Sequence, residues 1–208
     1  MDVEMRLTLP RGWAWVRLGS LAHLVTSGSR DWAKFYSEDG PIFVRMGNLS
    51  RDSYRLRMSN VQRVTPPSDG EGKRTSLQGG DILISITGEV GLLGLIPPDF
   101  GEAYINQHIC MVRPSHELAS RFLPELFRSS FAQDQFNGPQ RGLKNSFRLT
   151  DVTDLVVPLP PLAEQHRIVA KVDELMALCD QFEAQLTIIQ TDRRRLLEAV
   201  LEAALAPA

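Results

Sequence analysis

The sequence has 208 residues, 43% hydrophobic and 23% charged, with a net charge of −2, values typical of a globular protein of one or two domains. No apolar run is long enough to span a membrane, and the charged N-terminus does not resemble a signal peptide, so no membrane partner is expected. Two cysteines, Cys110 and Cys179, are too few for a disulfide framework. They predict a protein of the reducing cytoplasm in which both are buried apolar residues.

Positive charge is concentrated in one segment. Residues 1–161 contain 18 basic and 17 acidic residues, whereas residues 162–208 contain 5 and 8. Between Arg45 and Arg63 lie five arginines and one acid, Asp52. This cluster predicts a phosphate-facing surface, although it is also compatible with a solvated loop. The overall acidity argues against strong non-specific binding to nucleic acid by one chain alone.

The first part of the chain predicts short strands separated by polar loops. Over Trp13–Leu18, the large side chains of Trp13, Trp15 and Arg17 alternate with Ala14, Val16 and Leu18, which predicts a strand. A helical turn is predicted next, at Ser20–Val25. Residues 26–40 predict a loop that mixes cations with aromatic side chains. Further strands are predicted at Pro41–Met46 and Ser59–Thr65.

A buried hairpin is predicted next. Ile82–Thr87 has the composition of a strand buried on both faces, and Val90–Ile96 is expected to return beside it as an antiparallel partner. The remaining elements are a strand, a helix, a capped turn and a last strand, at Ala103–Arg113, Leu118–Phe136, Thr150–Asp154 and Leu155–Leu159. Residues 1–161 therefore predict one α/β (α+β) domain with a mixed, largely antiparallel sheet.

Residues 162–208 predict a long coiled-coil helix. Pro160 and Pro161 prevent helix before it, and Glu164 places negative charge in its first turn. Apolar residues then recur at alternating steps of four and three over about five heptads, interrupted by Arg193. The helix would be about 60 Å long, more than one small domain covers. The predicted dimerisation residues of this seam are Ile168, Val172, Leu175, Cys179, Phe182, Leu186, Ile189, Leu196 and Val200.

A second helix, from another copy or from another protein, is expected to cover the seam. The alternative is a long helix that packs only on its own domain.

Motifs for catalysis are missing. Gly88, Gly91 and Gly94 lack the Gly-Lys-Ser/Thr of a P-loop and are better explained as turn and close-packing glycines. The four histidines match no zinc spacing, and no Gly-x-Ser-x-Gly or activated cysteine is present. Asp99 and Glu102 lack the acid–x–Lys pairing of a metal-dependent nuclease. The sequence predicts no catalytic residue, no metal and no bound cofactor, and thus a binding or scaffolding role.

Three loops carry side chains of the kind that bind DNA. Arginine pairs with guanine edges, Asn and Gln pair with adenine edges, and Ser, Thr and Lys contact phosphates. The loops are Ser27–Lys34, Arg45–Arg57 and Gln140–Asn145. The predicted DNA-binding residues are Ser29, Arg30, Lys34, Arg45, Asn48, Arg51, Arg55, Arg57, Lys73, Arg74, Gln140, Arg141, Lys144 and Asn145.

Four stretches resemble the specificity subunits of Type I restriction–modification enzymes. The most specific is Val157-Pro-Leu-Pro-Pro-Leu-Ala-Glu-Gln-His-Arg-Ile-Val-Ala-Lys-Val-Asp-Glu-Leu-Met, which resembles the segment that opens the long helix in that family. The others are Leu9–Gly19, Gly80–Gly88 and Asn106–Pro114. The resemblance covers essentially the whole chain.

The resemblance implies a subunit that recognises DNA and is not an enzyme. In that family each target recognition domain contacts half of a bipartite site, and conserved helices separate two such domains as an antiparallel coiled coil on which methyltransferase subunits dock. The resemblance assigns residues 1–161 to a target recognition domain and residues 162–208 to the conserved helix. It also implies that S-adenosylmethionine is bound by the methyltransferase partner. The family usually has two of each part, whereas this sequence has one of each. Recognition loops vary in the family, so no base contact is carried over.

The leading hypothesis is a homodimer. Two copies would pair through Ile168–Ala203 and read a palindromic, interrupted site in double-stranded DNA, with half-sites about 10 bp apart. Methyltransferase subunits would methylate adenine N6, and a restriction subunit could join them. Phosphate contacts are expected from Arg51, Arg55, Arg57, Lys73 or Arg74, and base contacts from Arg30, Asn48, Gln140, Arg141 and Asn145.

Two alternatives keep the fold. The chain could pair with a different half-subunit and read an asymmetric site, or act as a decoy that captures methyltransferase subunits without reading DNA. Arg193 mildly favours self-pairing, because Glu164 and Asp173 lie near Ile168 on the opposite helix. The Arg45–Arg63 cluster argues against a decoy, which would need acidic loops. Catalysis is disfavoured by the missing motifs.

Overall fold

The computed structural model describes residues 8–66, 72, 74–115, 118, 121–138 and 146–205. The chain divides into two compact units, Met1–Gln165 and His166–Ala208. Within the described residues, no helix combines the length and the apolar character that are needed to cross a lipid bilayer.

The strands and helices have the following bounds. The strands are β1 (Ala14–Arg17), β2 (Ala22–Ser27), β3 (Tyr36–Val44), β4 (Gln62–Val64), β5 (Ile82–Ser85), β6 (Leu93–Leu95), β7 (Ala103–Ile105), β8 (Ile109–Pro114) and β9 (Val156–Leu159). The α-helices are α1 (Phe122–Arg128), α2 (Ser130–Asn137), α3 (Leu149–Thr153) and α4 (Leu162–Leu205).

Strand β5 lies inside a four-stranded antiparallel sheet with the order β2-β8-β5-β6. All four of its residues are buried, because neighbouring strands and packed side chains cover both edges and both faces. Ile82 pairs with Leu95 on one side and with Val112 on the other. The predicted buried hairpin is therefore confirmed, with shorter strands than expected.

A three-stranded sheet places β3 between β4, which is antiparallel to it, and β7, which is parallel. The ring of Trp32 lies on this sheet, with its centroid 5.0 Å from that of Phe43 and 5.2 Å from that of Tyr104. Strands β1 and β9 form a separate antiparallel pair. The mixed, largely antiparallel fold class followed by a long helix is confirmed.

The segment Ala103–Arg113, predicted as one strand, is two strands that belong to different sheets. β7 pairs with β3, whereas β8 pairs with β2 and β5. The polar turn Asn106–His108 separates them and redirects the chain between the sheets. Strand β3 is longer than predicted, because residues 36–40 join it through an irregularity between Ser37 and Ile42.

The predicted single helix over Leu118–Phe136 is wrong, since α1 and α2 are separate helices in its described part. Ser129 lies between them in an extended conformation, with ψ 152°, and its hydroxyl accepts a hydrogen bond from the amide of Ala132. Serine in this position caps the second helix and ends the first.

Two short predicted turns also differ. The helical turn expected at Ser20–Val25 is instead a 3₁₀ turn at Leu18–Leu21 that leads directly into β2. Thr150 does not cap α3, because it lies inside that helix. The carboxylate of Asp151 provides the cap by accepting a hydrogen bond from the amide of Arg148 at 2.8 Å.

A buried ion pair links β8 to the turn before β5. The carboxylate of Asp81 is fully buried and accepts hydrogen bonds from Nε and Nη2 of Arg113 at 2.7 and 2.8 Å, and from the amide of Gln78 at 2.7 Å. These hydrogen bonds raise the pKa of Arg113. The bidentate geometry satisfies a charge whose burial would otherwise be costly.

Helix α4 spans 44 residues, which corresponds to about 66 Å. In the isolated chain, six of its large seam residues have between 49% and 68% of their surface exposed: Leu175, Phe182, Leu186, Ile189, Leu196 and Val200. Ile168 and Val172 are partly exposed. Cys110 is buried as predicted, but Cys179 is exposed in the single chain, since no described residue of its own helix covers this part of the seam.

Candidate nucleic-acid interface

The turn Asn106–His108 connects the first two loops that were predicted to bind DNA. Ser29, from the first loop, forms a parallel β-bridge with Asn106. Arg45 and Arg57, from the second loop, line a pocket together with Asn106 and His108. Residues separated by about 80 positions in the chain are therefore neighbours on one side of the domain.

Ser146, which follows the third predicted loop, lies beside the same region. Thr87 is hydrogen-bonded to His108 and forms an antiparallel β-bridge with Ser146. Ser146 is the first described residue after residues 139–145. The predicted residues Gln140, Arg141, Lys144 and Asn145 lie outside the described residues, as does Lys73.

A close backbone approach at Gly28 brings the first loop to this turn. A Cβ atom on Gly28 would lie 2.1 Å from the carbonyl oxygen of Ile105 and 2.4 Å from that of Asn106. Only glycine fits such a contact between two backbones. Ser29 is therefore held beside Asn106, and its hydroxyl accepts a hydrogen bond from Nε1 of Trp32 at 3.0 Å.

The arginine-rich loop is fixed on strand β6. Ser50 and Leu93 exchange backbone hydrogen bonds of 3.0 and 2.8 Å. A Cβ atom on Gly94 would lie 2.6 Å from Leu49 and 2.7 Å from Leu56, so the absent side chain leaves room for the loop. This contact supports the interpretation of Gly94 as a close-packing glycine rather than part of a nucleotide site.

Asn48 organises the same loop from inside. It is buried, its Oδ1 accepts a hydrogen bond from the amide of Arg45 at 2.9 Å, and its Nδ2 donates to the carbonyl oxygens of Arg57 and Asn60 at 2.8 and 3.1 Å. These bonds use both amide N–H groups and one oxygen lone pair of the side chain. The geometry favours a structural role for Asn48 over the predicted contact with a base.

Arg51 is also occupied within the domain. Its guanidinium donates to Oε1 of Glu89 from Nε at 3.3 Å and from Nη2 at 3.2 Å, to Oε1 of Gln133 at 2.8 Å and to the carbonyl oxygen of Val90 at 3.2 Å. The neighbouring carboxylate neutralises its charge, and the bonds connect the loop to the β5–β6 turn and to α2. This arrangement favours a structural role over the predicted contact with a phosphate.

Arg45 and Arg57 use far fewer of their donors. Nη2 of Arg45 donates to Oδ1 of Asn60 at 3.2 Å, and Nη2 of Arg57 donates to the hydroxyl of Ser50 at 2.9 Å. Each guanidinium has five N–H groups, so most remain available for a ligand. Neither has an ion-pair partner within the described part of the chain.

Arg30 and Arg55 are exposed, and their guanidinium groups make no hydrogen bond or ion pair to other described residues. Lys34 lies above the ring of Phe35, with Nζ 5.0 Å from the centroid. Arg74 donates from Nη1 to the hydroxyl of Thr26 at 2.7 Å and to the carbonyl oxygen of Ser27 at 3.1 Å. Among the predicted residues that the structure describes, Arg30 and Arg55 therefore have the side chains least committed to the domain.

Sequence reasoning missed Asn60, Asn106 and His108 as members of this surface. Asn106 and His108 were expected to be strand residues, and the signal that marks them is the polar tripeptide Asn106-Gln-His inside an otherwise apolar segment. Asn60 has no comparable signal, because its place is set by its contact with Arg45.

No group of His, Cys, Asp and Glu residues suited to a metal ion occurs among the residues that the structure describes. The surface gathered around Asn106–His108 instead presents arginines and amides, which are donors to phosphates and to base edges.

The sequence profile of one protein family matches residues 10–190 of the chain. That family is described as the Type I restriction modification DNA specificity domain. The chain belongs to this family. The membership confirms the resemblance identified from the four sequence stretches.

Relatives with curated descriptions are similarly named. The specificity subunit of the Type I restriction enzyme EcoBI from Escherichia coli is 23% identical over 166 residues, which cover 79% of this chain and 34% of that subunit. The EcoKI specificity subunit from Escherichia coli K12 is 22% identical over 93% of this chain and 42% of that subunit. The chain thus spans less than half of the length of these relatives.

Solved structures share the fold. The HsdS subunit from Thermoanaerobacter tengcongensis superposes with a TM-score of 0.74 at 28% identity, over 97% of this chain and 52% of that chain. A chain from a type I R-M system superposes with a TM-score of 0.71 at 24% identity, over 96% of this chain and 47% of that one.

Two arginines of one loop are predicted to behave differently. Arg51→Gln should destabilise the domain by about 1 kcal/mol, because it removes partly exposed bonds to Glu89 and Gln133. Arg55→Gln should leave stability unchanged but reduce the slope of log binding constant against log salt by about one unit, because one phosphate contact is lost. Thermal unfolding and DNA binding at several salt concentrations measure the two effects. A reduced slope with unchanged stability in the Arg51 variant would contradict this division.

Proposed function

We propose that the chain is a DNA-recognising specificity subunit of a Type I restriction–modification complex, and that two copies pair through α4 to read a bipartite, palindromic site. The observation that carries the pairing is the seam of α4, whose six large apolar side chains are 49–68% exposed in a single chain. Covering such side chains contributes about 1–2 kcal/mol each, so an uncovered seam is unfavourable. A second copy supplies an apolar stripe of the same period, which covers Leu175, Phe182, Leu186 and Ile189 in the register described next.

Charge complementarity favours one register of an antiparallel pair. With Arg193 opposite Ile168 of the second copy, Leu175 faces Leu186 and Cys179 faces Phe182. Glu164 of the second copy then lies one helical turn from Ile168, close enough to attract Arg193. Positions that flank a coiled-coil seam carry the ion pairs that select partner and orientation.

In the same register, Lys171 and Asp192 flank the seam at nearly the same level on opposite helices. The pair occurs twice because of the two-fold symmetry. A shift by one heptad would place uncharged Ala199 near Lys171 instead, and the attraction would be lost.

Two-fold symmetry has a direct consequence for the DNA. The two recognition domains would read the same half-site twice, so the target would be palindromic and interrupted, with half-sites separated by about 10 bp. Methyltransferase subunits that bind S-adenosylmethionine would modify adenine N6 within it in the cytoplasm, and a restriction subunit could join them.

The free side chains of the domain suit this role. Arg30 and Arg55 are exposed and uncommitted, which is the state required of a residue that contacts a base or a phosphate of the bound duplex. Arg45 and Arg57 line the pocket beside the Asn106–His108 turn, and Arg30 follows Ser29, which forms a β-bridge with Asn106. Gln140, Arg141, Lys144 and Asn145 remain predicted DNA-binding residues.

The methylation pattern of the host genome tests the function. We expect a host that carries this chain and its methyltransferase subunit, with no other specificity gene, to show a palindromic, interrupted motif with N6-methyladenine on both strands. Single-molecule sequencing of the genomic DNA measures it, and a host with the methyltransferase subunit alone is the control. An asymmetric motif would indicate pairing with a different half-subunit, and no motif would favour a decoy; either result contradicts the proposal.

The seam itself can be disrupted. Changing Leu175, Phe182 and Leu186 to Asp places charge inside the proposed interface, and we expect the dimer to dissociate to monomers in light scattering. Cys179 should then react faster with iodoacetamide, whereas Cys110 remains protected because burial raises the pKa of its thiol to about 12.

The matched control places three aspartates away from the seam, at Gln181, Ala184 and Thr191. This variant should still dimerise and still protect Cys179. If the triple seam variant dimerises as the native chain does, the seam of α4 is not the dimer interface.

The register can be tested by charge reversal. Lys171→Glu and Asp192→Lys should each weaken dimerisation about tenfold, because two attractive pairs become repulsive, and the double variant should restore it. Sedimentation equilibrium at low salt measures the dissociation constants. Lys171→Glu combined with Asp180→Lys, which also restores net charge, should remain weak. Equal recovery in both double variants would exclude this register.

A further inference from the structure

A polar pocket of about 390 Å³ lies beside the Asn106–His108 turn. Its walls come from the turn at Met46–Asn48, the segment Arg57–Asn60 and the Asn106–His108 turn. Two arginines, Arg45 and Arg57, contribute to its lining, and none of the described residues that line it is acidic. A concave surface with two guanidinium groups and no carboxylate attracts anions.

The walls of this pocket are fixed before any ligand binds. The buried amide of Asn48 is hydrogen-bonded to the backbone of Arg45, Arg57 and Asn60. The amide of Arg57 in turn donates to the carbonyl oxygen of Asn48 at 2.8 Å. The two segments that carry the arginines are therefore tied to each other, which reduces the ordering required on binding.

The two guanidinium groups are oriented but not neutralised. Arg45 is held by Asn60 at 3.2 Å, and Arg57 is held by Ser50 at 2.9 Å, both through uncharged acceptors. Arg51, only six residues before Arg57, is instead paired with the carboxylate of Glu89 at 3.2 Å. One arginine of the loop is thus used to build the domain, while two retain their charge and most of their donors.

We propose that this pocket binds one phosphodiester group of the DNA backbone in each half-site, held between Arg45 and Arg57. The proposal rests on the function proposed above and adds a phosphate-binding site to it. Guanidinium groups present planar forks of donors that match the oxygen atoms of a phosphate, and such charge-assisted bonds are among the strongest that a protein forms with DNA. The amide side chain of Asn106 lies in the same pocket and can donate to the same group.

A phosphate fits this position better than a base edge does. Asn48, the lining amide that was predicted to read adenine, already uses its donors within the domain. A phosphate contact fixes the position of the domain on the duplex without selecting sequence. The pocket would therefore hold the domain in place while the exposed Arg30 and Arg55 meet the DNA elsewhere.

Neutral phosphates in the DNA test the proposal directly. Duplexes that contain the recognised motif are prepared with single methylphosphonate groups, each removing one negative charge, and are bound by the full chain in complex with its methyltransferase subunit. In the native protein we expect that, among the phosphates whose neutralisation weakens binding, one in each half-site is the phosphate held by the pocket, and that its neutralisation weakens binding about tenfold. In the Arg45→Gln/Arg57→Gln variant, neutralisation of this phosphate should no longer weaken binding, while neutralisation of the other contacted phosphates should weaken it as before.

Arg148→Gln provides the control, because it removes an exposed positive charge of the same domain outside the pocket. It should retain the native pattern at every position. A double pocket variant that also keeps the native pattern would overturn the phosphate site, although DNA recognition by the native complex would stand. A native complex that binds no specific duplex would instead contradict the function proposed above.

Titration with inorganic phosphate distinguishes a site for a DNA phosphodiester from a site for a free phosphate ion. We expect no saturable binding of millimolar phosphate to the protein alone, because a single free anion lacks the other contacts of the duplex. Saturable binding that requires Arg45 and Arg57, without any change in the methylphosphonate pattern, would assign the pocket to a free phosphate and overturn the proposal.

Discussion

The arginine-rich loop of the candidate interface depends on the hydrogen bonds of one buried amide. Asn48 connects the backbone at Arg45, Arg57 and Asn60, so a segment without regular secondary structure keeps one conformation. An unmade bond of a buried amide costs about 1–3 kcal/mol, which explains why three partners are arranged around it. The positions of Arg45 and Arg57, and hence the shape of their pocket, follow from this arrangement.

Local patterns predicted much of the fold. The bounds of α4 follow from Pro161 and the heptad period, and the buried hairpin follows from the apolar run at Ile82 and the glycines after it. The failures have non-local causes. β7 and β8 read as one strand because their residues are similar, and only pairing in different sheets separates them. Similarly, the break at Ser129 comes from capping, which competes with continuation of the helix.

The candidate site was predictable as a set of loops but not residue by residue. Arg51 and Arg55 are equivalent in the sequence, yet Arg51 meets Glu89, which is 38 positions away, whereas Arg55 faces solvent. Asn48 has the side chain of a base reader and the burial of a core residue. Such roles depend on which distant groups fold against each side chain, and composition contains no information about that.

The close contact at Gly28 also bears on how such a domain can change during evolution. A side chain at this position would overlap the carbonyl oxygen of Ile105, so substitution there disturbs the joint between two loops rather than a contact with DNA. Exposed and unbonded residues such as Arg30 and Arg55 can be replaced at little cost to the fold. Under the function proposed above, new DNA specificities would be accessible through a few surface substitutions, on a framework of loops that does not itself have to be rebuilt.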